Sequence, residues 1–597
     1  MRESDSVAEN KVCSPGAWLF SRLEELWAEL QPLTPFGRDV IAKRIVHSDQ
    51  EMILSSYDDI NAYESFIRVH GSDKARIDRL AWHLGRIPRL PSFADSDIAG
   101  AMDTEVGDVG MGGDFNVVEL FLFKKFLSNY KACHDLLDDA LRERFGFSFE
   151  SEPLSALLEK GGSDSETFQI SERYDGELRR IRSDIGRIGE ELEKAKRVLA
   201  ESARDTWGLD FTGRDFLTVP IEKAVAIASE SNCGTRGRIA VEPYDDFSCL
   251  VRILPDSAYL ALEFRREALR DEESCAENSI ASKISKIVQR SRTDFERYMR
   301  AAERLDLARC RYLLKKKYDL CRPEFLGRGI SIKSGRFLPL LQDCNDMRTT
   351  YVPIEIDLRH PVTVLFGSNM GGKTVVLQSL LFFQIMAQSC LNVPAKAFSS
   401  QVFDAIEYVG EGAGGESRGL SSFGHEIHFL SKILRMSMTK SCLVAFDEFA
   451  HTTGSEEAEA LLAAVIHHFS GMDRCAILFA THFRGIARHN NVHWLKMAGL
   501  DIEAARIWFS AGKSGIADAS GKAEFLETSQ SLEERIRRIN KMMRYEILED
   551  KGGGGDIEDR SDALEIASLL GLDKNIVDEA VSNLSGRRLM YREKYPE

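Results

Sequence analysis

Apolar residues recur at steps of three and four in residues 18–30 and again in 117–141, which predicts packed helices over 17–165. Thr34-Pro35-Phe36-Gly37 punctuates this block as a turn between helices, and the glycine-rich acidic stretch 103–114 reads as a surface loop. From Leu178 the apolar positions become Ile181, Ile185, Ile188, Leu192, Ala195 and Leu199, with charged residues in most of the other places. That alternation is the heptad pattern of a helix packed in a coiled coil. A second segment of similar spacing, Ile284, Ile287, Phe295, Tyr298, Ala302, Leu305 and Tyr312, predicts the returning helix. Gly213, Pro220, Gly234, Gly237 and Pro243 break the region between them, so 166–322 is expected to form an antiparallel helical arm with a small insert at its tip.

Beyond Arg322 the pattern changes to short apolar runs at 362–366, 442–446 and 475–480, each followed by helical spacing. Runs of that kind are strands buried on both faces of a parallel sheet and joined by crossover helices. The expected architecture is an α/β domain over 323–513 preceded by an all-α core with a long antiparallel arm. Residues 514–545 turn polar and read as an insertion, 546–597 as a closing pair of helices, and 1–16 as a polar tail.

Charge narrows the functions open to such a chain. Across 597 residues, 78 Lys and Arg stand against 94 Asp and Glu, a net charge of −16, so a uniformly basic nucleic-acid surface is excluded and any such contact must be local. Positive charge collects in 283–322, with thirteen Lys or Arg against five Asp or Glu. It reads either as a solvated helix face or as a phosphate-contacting surface. The eleven cysteines include no CxxC pair, so neither a zinc ribbon nor a local dithiol motif is written, and reduced thiols are expected. The polar start and the absence of a run of about 20 apolar residues point to a cytoplasmic protein with no membrane partner.

The chemistry is concentrated just after each of these apolar runs. Gly367-Ser368-Asn369-Met370-Gly371-Gly372-Lys373-Thr374 fits G-x-x-x-x-G-K-[ST] and sits between a strand pattern and a helix pattern, the context of a P-loop. There the backbone N–H groups and helix N-terminus cradle ATP phosphates, Lys373 reaches the β and γ oxygens, and Thr374 offers a hydroxyl to Mg²⁺. The run 442–446 ends in Asp447-Glu448, where a parallel sheet presents side chains to its ligand. Asp447 is the expected Mg²⁺ ligand and Glu448 the carboxylate that polarises the attacking water. His482, just past the run 475–480, is placed to contact the γ-phosphate.

These motifs resemble those of the MutS family. The loop GSNMGGKT differs from that family's G-P-N-M-G-G-K-S at Ser368 and Thr374, Leu420-Ser421-Ser422-Phe423-Gly424-His425-Glu426 is similar to its S-T-F-x-x-E signature, and Ala480-Thr481-His482-Phe483 to its A-T-H-Y. Thr34-Pro35-Phe36-Gly37-Arg38, Tyr174-Asp175-Gly176-Glu177-Leu178 and Ile566-Ala567 with Leu570-Gly571-Leu572 are similar to the start of its helical core, the base of its lever and clamp helices, and its C-terminal dimer helices. The resemblance implies an ABC/MutS-type P-loop ATPase working as a homodimer with composite sites, in which Ser421 with Ser422 approaches the partner's γ-phosphate and Tyr351 stacks on adenine. Two departures stand out. Only about thirty residues precede Thr34, with no room for mismatch-reading and connector domains, and Phe449-Ala450-His451-Thr452-Thr453-Gly454 replaces the family's I-G-R-G-T-S.

Two functions therefore stay open at this point. One is an ATP-switched clamp on duplex or branched DNA that is not a standard mismatch reader, contacting DNA through 283–322. The other is a protein-remodelling ATPase, since some MutS-like proteins resemble reactivating factors for adenosylcobalamin-dependent amino acid aminomutases.

Overall fold

A computed structural model describes residues 12–93, 114–162, 166–231, 239–347, 349–367, 371–410, 422–450, 454–483, 486, 488–501, 504, 539, 541–550, 562–570, 572–573 and 575–583. Of the segments read above, 103–113, the P-loop residues Ser368, Asn369 and Met370, the signature Ser421, and the body of the polar insertion, 514–538, lie outside them. The chain divides into two compact units, residues 1–77 with 303–597, and residues 78–302.

The first unit opens with α1 (Pro15–Phe20), α2 (Leu23–Trp27), α3 (Pro35–Ala42), α4 (Gln50–His70) and the start of α5 (Lys74–Arg86). Local sequence sets the starts. Ser14 caps α1, Thr34 caps α3 by accepting the Gly37 N–H, Asp49 caps α4, and Pro15 and Pro35 occupy first-turn positions where a missing N–H costs nothing. Helix therefore begins inside the stretch 1–16 expected to be a tail. Cys13 forms a parallel bridge with Ile406, and Phe20 stacks on Tyr408 with centroids 3.6 Å apart. The 17–165 block is likewise not one body, because α1 to α4 belong with the parallel sheet.

The second unit contains α6 (Val117–Leu136), α7 (Asp139–Phe145), α8 (Glu152–Glu159), α9 (Gly176–Trp207), β1 (Leu217–Pro220), α10 (Ile221–Ser231), β2 (Ile239–Pro243), β3 (Ser248–Ile253), α11 (Ser257–Arg290) and the start of α12 (Arg292–Tyr318). Buried Phe123, Phe126, Tyr130, Phe295 and Tyr298 form its aromatic core. The arm is α9 against α11. Ile181, Ile188 and Leu192 pack with Leu269, and Arg182 bridges Glu273 and Glu277 at 2.6 Å each. Antiparallel strands in the order β1-β3-β2, with α10, make the tip.

The returning helix thus begins at Ser257, and the segment expected to return along the arm is split at Ser291. Phe295 and Tyr298 serve the aromatic core, because apolar spacing specifies a buried stripe and not which neighbour buries it. The basic segment changes meaning accordingly. Within the first unit Arg304 pairs with Asp59 at 2.9 Å, Lys315 with Glu64 at 2.6 Å, Lys317 with Glu29 at 2.7 Å and Arg322 with Asp58 at 2.9 Å. Four of the thirteen basic side chains of 283–322 are thus met by acids of the same unit.

The chain re-enters the first unit and adds β4 (Glu324–Phe325), β5 (Ile330–Gly335), α13 (Leu338–Met347), β6 (Ile354–Leu358), β7 (Val362–Phe366), α14 (Lys373–Gln388), β8 (Ala397–Ser400), β9 (Ala405–Val409), α15 (Ser422–Ser437), β10 (Cys442–Asp447), α16 (Ser455–Phe469), β11 (Ala476–Thr481), β12 (Val492–Leu500), β13 (Met543–Glu549) and α17 (Asp562–Leu570). The main sheet runs β13-β12-β7-β11-β10-β9, all parallel except β13, and a smaller sheet runs β4-β8-β5-β6. Strand β13 starts inside the segment expected to be insertion and continues into the one expected to be helical. Along the central strands Leu443, Ala445 and Leu478 face the layer holding α14, while Val444, Phe446, Ile477 and Phe479 face the layer holding α16.

Helix α14 is buried almost throughout, and its far end is tied by buried amides. Gln388 Nε2 donates to the carbonyls of His47 at 2.7 Å and Phe403 at 2.8 Å, and its Oε1 accepts from Gln384 Nε2 at 2.7 Å. Gln384 Oε1 accepts from Ser400 at 2.6 Å, and the Tyr57 hydroxyl of α4 lies 2.9 and 2.8 Å from the carbonyls of Ala387 and Leu391.

Candidate functional site

The ends of three neighbouring strands create the site. Asp447 stands opposite Ala480, and Ala480 and Thr481 stand opposite Leu365 and Phe366, so β10, β11 and β7 finish level with one another. This is the carboxyl edge of the parallel sheet, where open α/β folds place their ligands.

Between the end of β7 and the start of α14, two glycines stand in close surroundings. Gly372, the N-cap, has φ +90°, and a Cβ there would sit 3.2 Å from Cδ1 of Tyr545 on β13. A Cβ on Gly367 would lie 3.0 Å from Cγ of Met497 on β12. Gly371 adjoins this turn. Lys373 follows, 3% exposed, with Nζ donating to the Gly367 carbonyl at 2.9 Å and lying 3.4 Å from Glu448 Oε1. Burial lowers its pKa below that of an ordinary lysine, and the Glu448 carboxylate works against that shift. Thr374 is exposed and donates its hydroxyl to Asp447 Oδ2 at 3.0 Å. A hydroxyl and a carboxylate brought together from two elements are hard oxygen donors, a set that suits Mg²⁺, which takes one or two protein oxygens and keeps waters and phosphate oxygens for the rest.

Glu448 is held in an uncommon backbone conformation. Its φ is +51°, and that of Ala450 is +64°, both in the left-handed region that non-glycine residues seldom occupy. Two hydrogen bonds hold the turn there. The Glu448 N–H donates to Ala480 O at 2.9 Å, and the Ala450 N–H donates to Glu426 Oε2 at 2.8 Å. Glu426, the last residue of the signature stretch, projects from the first turns of α15, so that helix supports the loop carrying Glu448.

Of the residues singled out from sequence, Gly367, Gly372, Lys373, Thr374, Asp447 and Glu448 come together. Ser422 opens α15. His482 is exposed one residue past β11, its ring centroid 4.4 Å from that of Phe483. Tyr351 is anchored to other partners, its hydroxyl accepting from Phe337 N–H at 2.7 Å and lying 3.3 Å from Gly335 O. Three residues were missed: Glu426, Met497 and Tyr545. Glu426 was quoted only as part of the signature, and nothing local marks Met497 or Tyr545, which reach the loop through strand pairing.

Comparison with known proteins agrees with this geometry. The family model for MutS domain V, the P-loop ATPase domain of that family, matches residues 363–520. The DNA mismatch repair protein MSH3 of Arabidopsis thaliana is 30% identical over 207 residues, 33% of this chain and 19% of that protein. The DNA mismatch repair protein MutS of Streptococcus gordonii is 25% identical over 304 residues, 49% of this chain and 35% of the relative. That of Thermus thermophilus is 27% identical over 258 residues, 42% and 30% respectively. The matches thus span about a third or less of these relatives' lengths. Residues 363–520, which hold the phosphate loop, the carboxylate pair and strands β8 to β12, match the ATPase domain of the MutS family.

Proposed function

We propose that this chain hydrolyses ATP with Mg²⁺ and uses the cycle as a conformational switch. The carrying observation is the convergence of Lys373, Thr374, Asp447 and Glu448 at the ends of β7 and β10. The N-terminus of α14 and the Lys373 ammonium bind the β and γ phosphates. Thr374 and Asp447 hold Mg²⁺, which supplies charge neutralisation on the phosphates. Glu448, fixed by its strained turn, positions and polarises the attacking water. Release of inorganic phosphate from ATP by the purified chain, lost on chelation of Mg²⁺, tests this reading; a chain that binds ATP and never turns it over refutes it.

The working unit in this proposal is a homodimer with composite ATP sites. Leu572, just before the last helical stretch, and Ile576 and Val581 within it stand 45–54% exposed, apolar positions suited to a second copy. Mixing Lys373→Ala with Ser421→Ala subunits should restore hydrolysis at the one interface that keeps both residues, and no recovery in a mixture shown to exchange subunits counts against shared sites. His482 at the γ-phosphate and Tyr351 at the adenine belong to the same proposal.

For the client, the first reading is duplex or branched DNA, in keeping with relatives whose names are DNA mismatch repair proteins. The second is a protein, such as a cobalamin-dependent aminomutase, and the arm's tip favours it. Residues 208–256 carry eight acidic against five basic side chains, and Tyr244 and Phe247 are 65% and 83% exposed. An acidic, aromatic surface repels phosphate and suits protein contact. Salt-dependent DNA binding that glutamine at Arg290, Arg292 and Arg297 weakens would uphold the first reading. No binding at low ionic strength in any nucleotide state would leave the second.

A further inference from the structure

Two cysteines far apart in sequence meet at the opposite edge of the main sheet from the phosphate loop. Strands β10 and β11 are parallel with Leu443 opposite Ala476, so the preceding residues, Cys442 and Cys475, lie side by side where the two strands begin. Their side chains share a face. Cys442 belongs to the layer of Val444 and Phe446, Cys475 to that of Ile477 and Phe479, and these are one layer. Neighbouring strands run about 4.8 Å apart, within the roughly 4.4–6.8 Å that a disulfide spans between Cα atoms. The Cys442 thiol donates to the Lys440 carbonyl at 3.5 Å, and the two sulfurs are close enough for each to shift the other's ionisation.

We propose that Cys442 and Cys475 form a reversible dithiol–disulfide couple at the root of the nucleotide-binding sheet, oxidised by hydroperoxides. The Cys475 sulfur is the attacking atom, because the neighbouring Cys442 thiol lowers its pKa, whereas Cys442 is pushed up. Attack on the terminal peroxide oxygen breaks the O–O bond, releases alcohol or water and leaves a sulfenic acid on Cys475. Cys442 then attacks that sulfur, the S–S bond forms, the S–O bond breaks and the hydroxyl leaves with a proton as water. The two thiols supply two electrons and two protons, and the peroxide is the two-electron oxidant. Both sulfurs are buried, at 0% and 4% exposure, but exposed Lys440 and Arg474 flank them at the sheet edge, so a small peroxide has only a short way to travel.

The same flanking residues make the test clean. Trypsin cuts after Lys440 and Arg474, placing Cys442 alone in 441–474 and Cys475 alone in 475–484. Full-length protein is treated with hydrogen peroxide, free thiols are alkylated, and the digest is read by mass spectrometry without reduction. The expected product is peptide 441–474 linked to 475–484, two hydrogens lighter than the separate pair and split by dithiothreitol. In Cys442→Ser the sulfenic acid on Cys475 should persist and take up dimedone, several-fold more than in wild type. Recovery of both wild-type peptides alkylated, or of Cys475 as sulfinic acid with no linked product, overturns the proposal.

Discussion

Replacing Glu426 by alanine removes the acceptor for the Ala450 N–H, a bond of 2.8 Å that pins the loop following Glu448. That loop stores strain, since Glu448 and Ala450 at φ +51° and +64° each cost about 1–2 kcal/mol relative to ordinary backbone. A hydrogen bond to a charged acceptor contributes about 1.5–3 kcal/mol, which is enough to decide whether the strained turn persists. If the turn is what aims the Glu448 carboxylate, that loss appears in the chemical step, and kcat should fall about 10- to 150-fold. The KM for ATP should stay within about threefold, because Lys373 and Thr374 keep their own contacts. Glu426→Gln keeps an oxygen acceptor and should lose only a few-fold. The assay is steady-state phosphate release with Mg²⁺, accompanied by a thermal melt to show that the fold survives. A Glu426→Ala protein with wild-type kcat would refute the reasoning.

Lys373→Ala should abolish ATP binding, while Glu448→Ala should bind ATP and lose about 10²–10⁴-fold in turnover, a split that nucleotide binding and single-turnover hydrolysis measured together would reveal. Gly372→Ala forces a side chain to φ +90° against Tyr545 and should weaken ATP affinity, read by titration. Asp306 is buried and accepts from Leu33 N–H, Thr34 N–H and the Thr34 hydroxyl at 3.0, 2.7 and 2.8 Å, so Asp306→Ala should cost about 3 kcal/mol or more in urea unfolding, and a change below about 1 kcal/mol would contradict this. Burial, reinforced by Arg311, lowers His47 from 6.5 to about 4, so the unfolded chain binds the proton first on acidification. Its contribution is therefore complete above about pH 6.5 and lost toward pH 4, about 1–2 kcal/mol after solvent screening, and His47→Gln should flatten that part of the stability profile.

The site was legible where chemistry and burial coincide locally. A short apolar run reads as a central strand, and a G-x-x-x-x-G-K-T directly after it can only turn into a helix, so Val362–Phe366, Lys373 and Thr374 were readable, as was Asp447-Glu448 at the end of another such run. Strand β12 was harder, since His493 and Lys496 interrupt its apolar residues, and β13 alternates Arg544 and Glu546 with apolar residues as an edge strand does. The pin from Glu426 was invisible because it depends on a left-handed turn that no glycine announces. Summed charge over 283–322 could not show its pairing, because the acids that answer Arg304, Lys315, Lys317 and Arg322 lie near the chain's start, at Asp59, Glu64, Glu29 and Asp58. The arm was found from its first helix, but α11 buries few residues along its length, and its sparse stripe could not compete with the aromatic one of α12.

The buried amides at the end of α14 decide where movement can go. Advancing that helix by a single residue along its axis is a shift of about 1.5 Å. Such a slide would break the bonds of Gln384 to Ser400, of Gln388 to His47 and Phe403 and of the Tyr57 hydroxyl to Ala387 together, each leaving a polar group unmet in the interior at about 1–3 kcal/mol. The helix therefore cannot act as a cushion. Any displacement imposed at Gly372 to Thr374 when a phosphate is lost arrives undamped at His47 and at α4, segments drawn from the first seventy residues of the chain. Those residues are thus the natural place to attach a probe of nucleotide state, and a label there should report hydrolysis although it stands far in sequence from every atom that reacts.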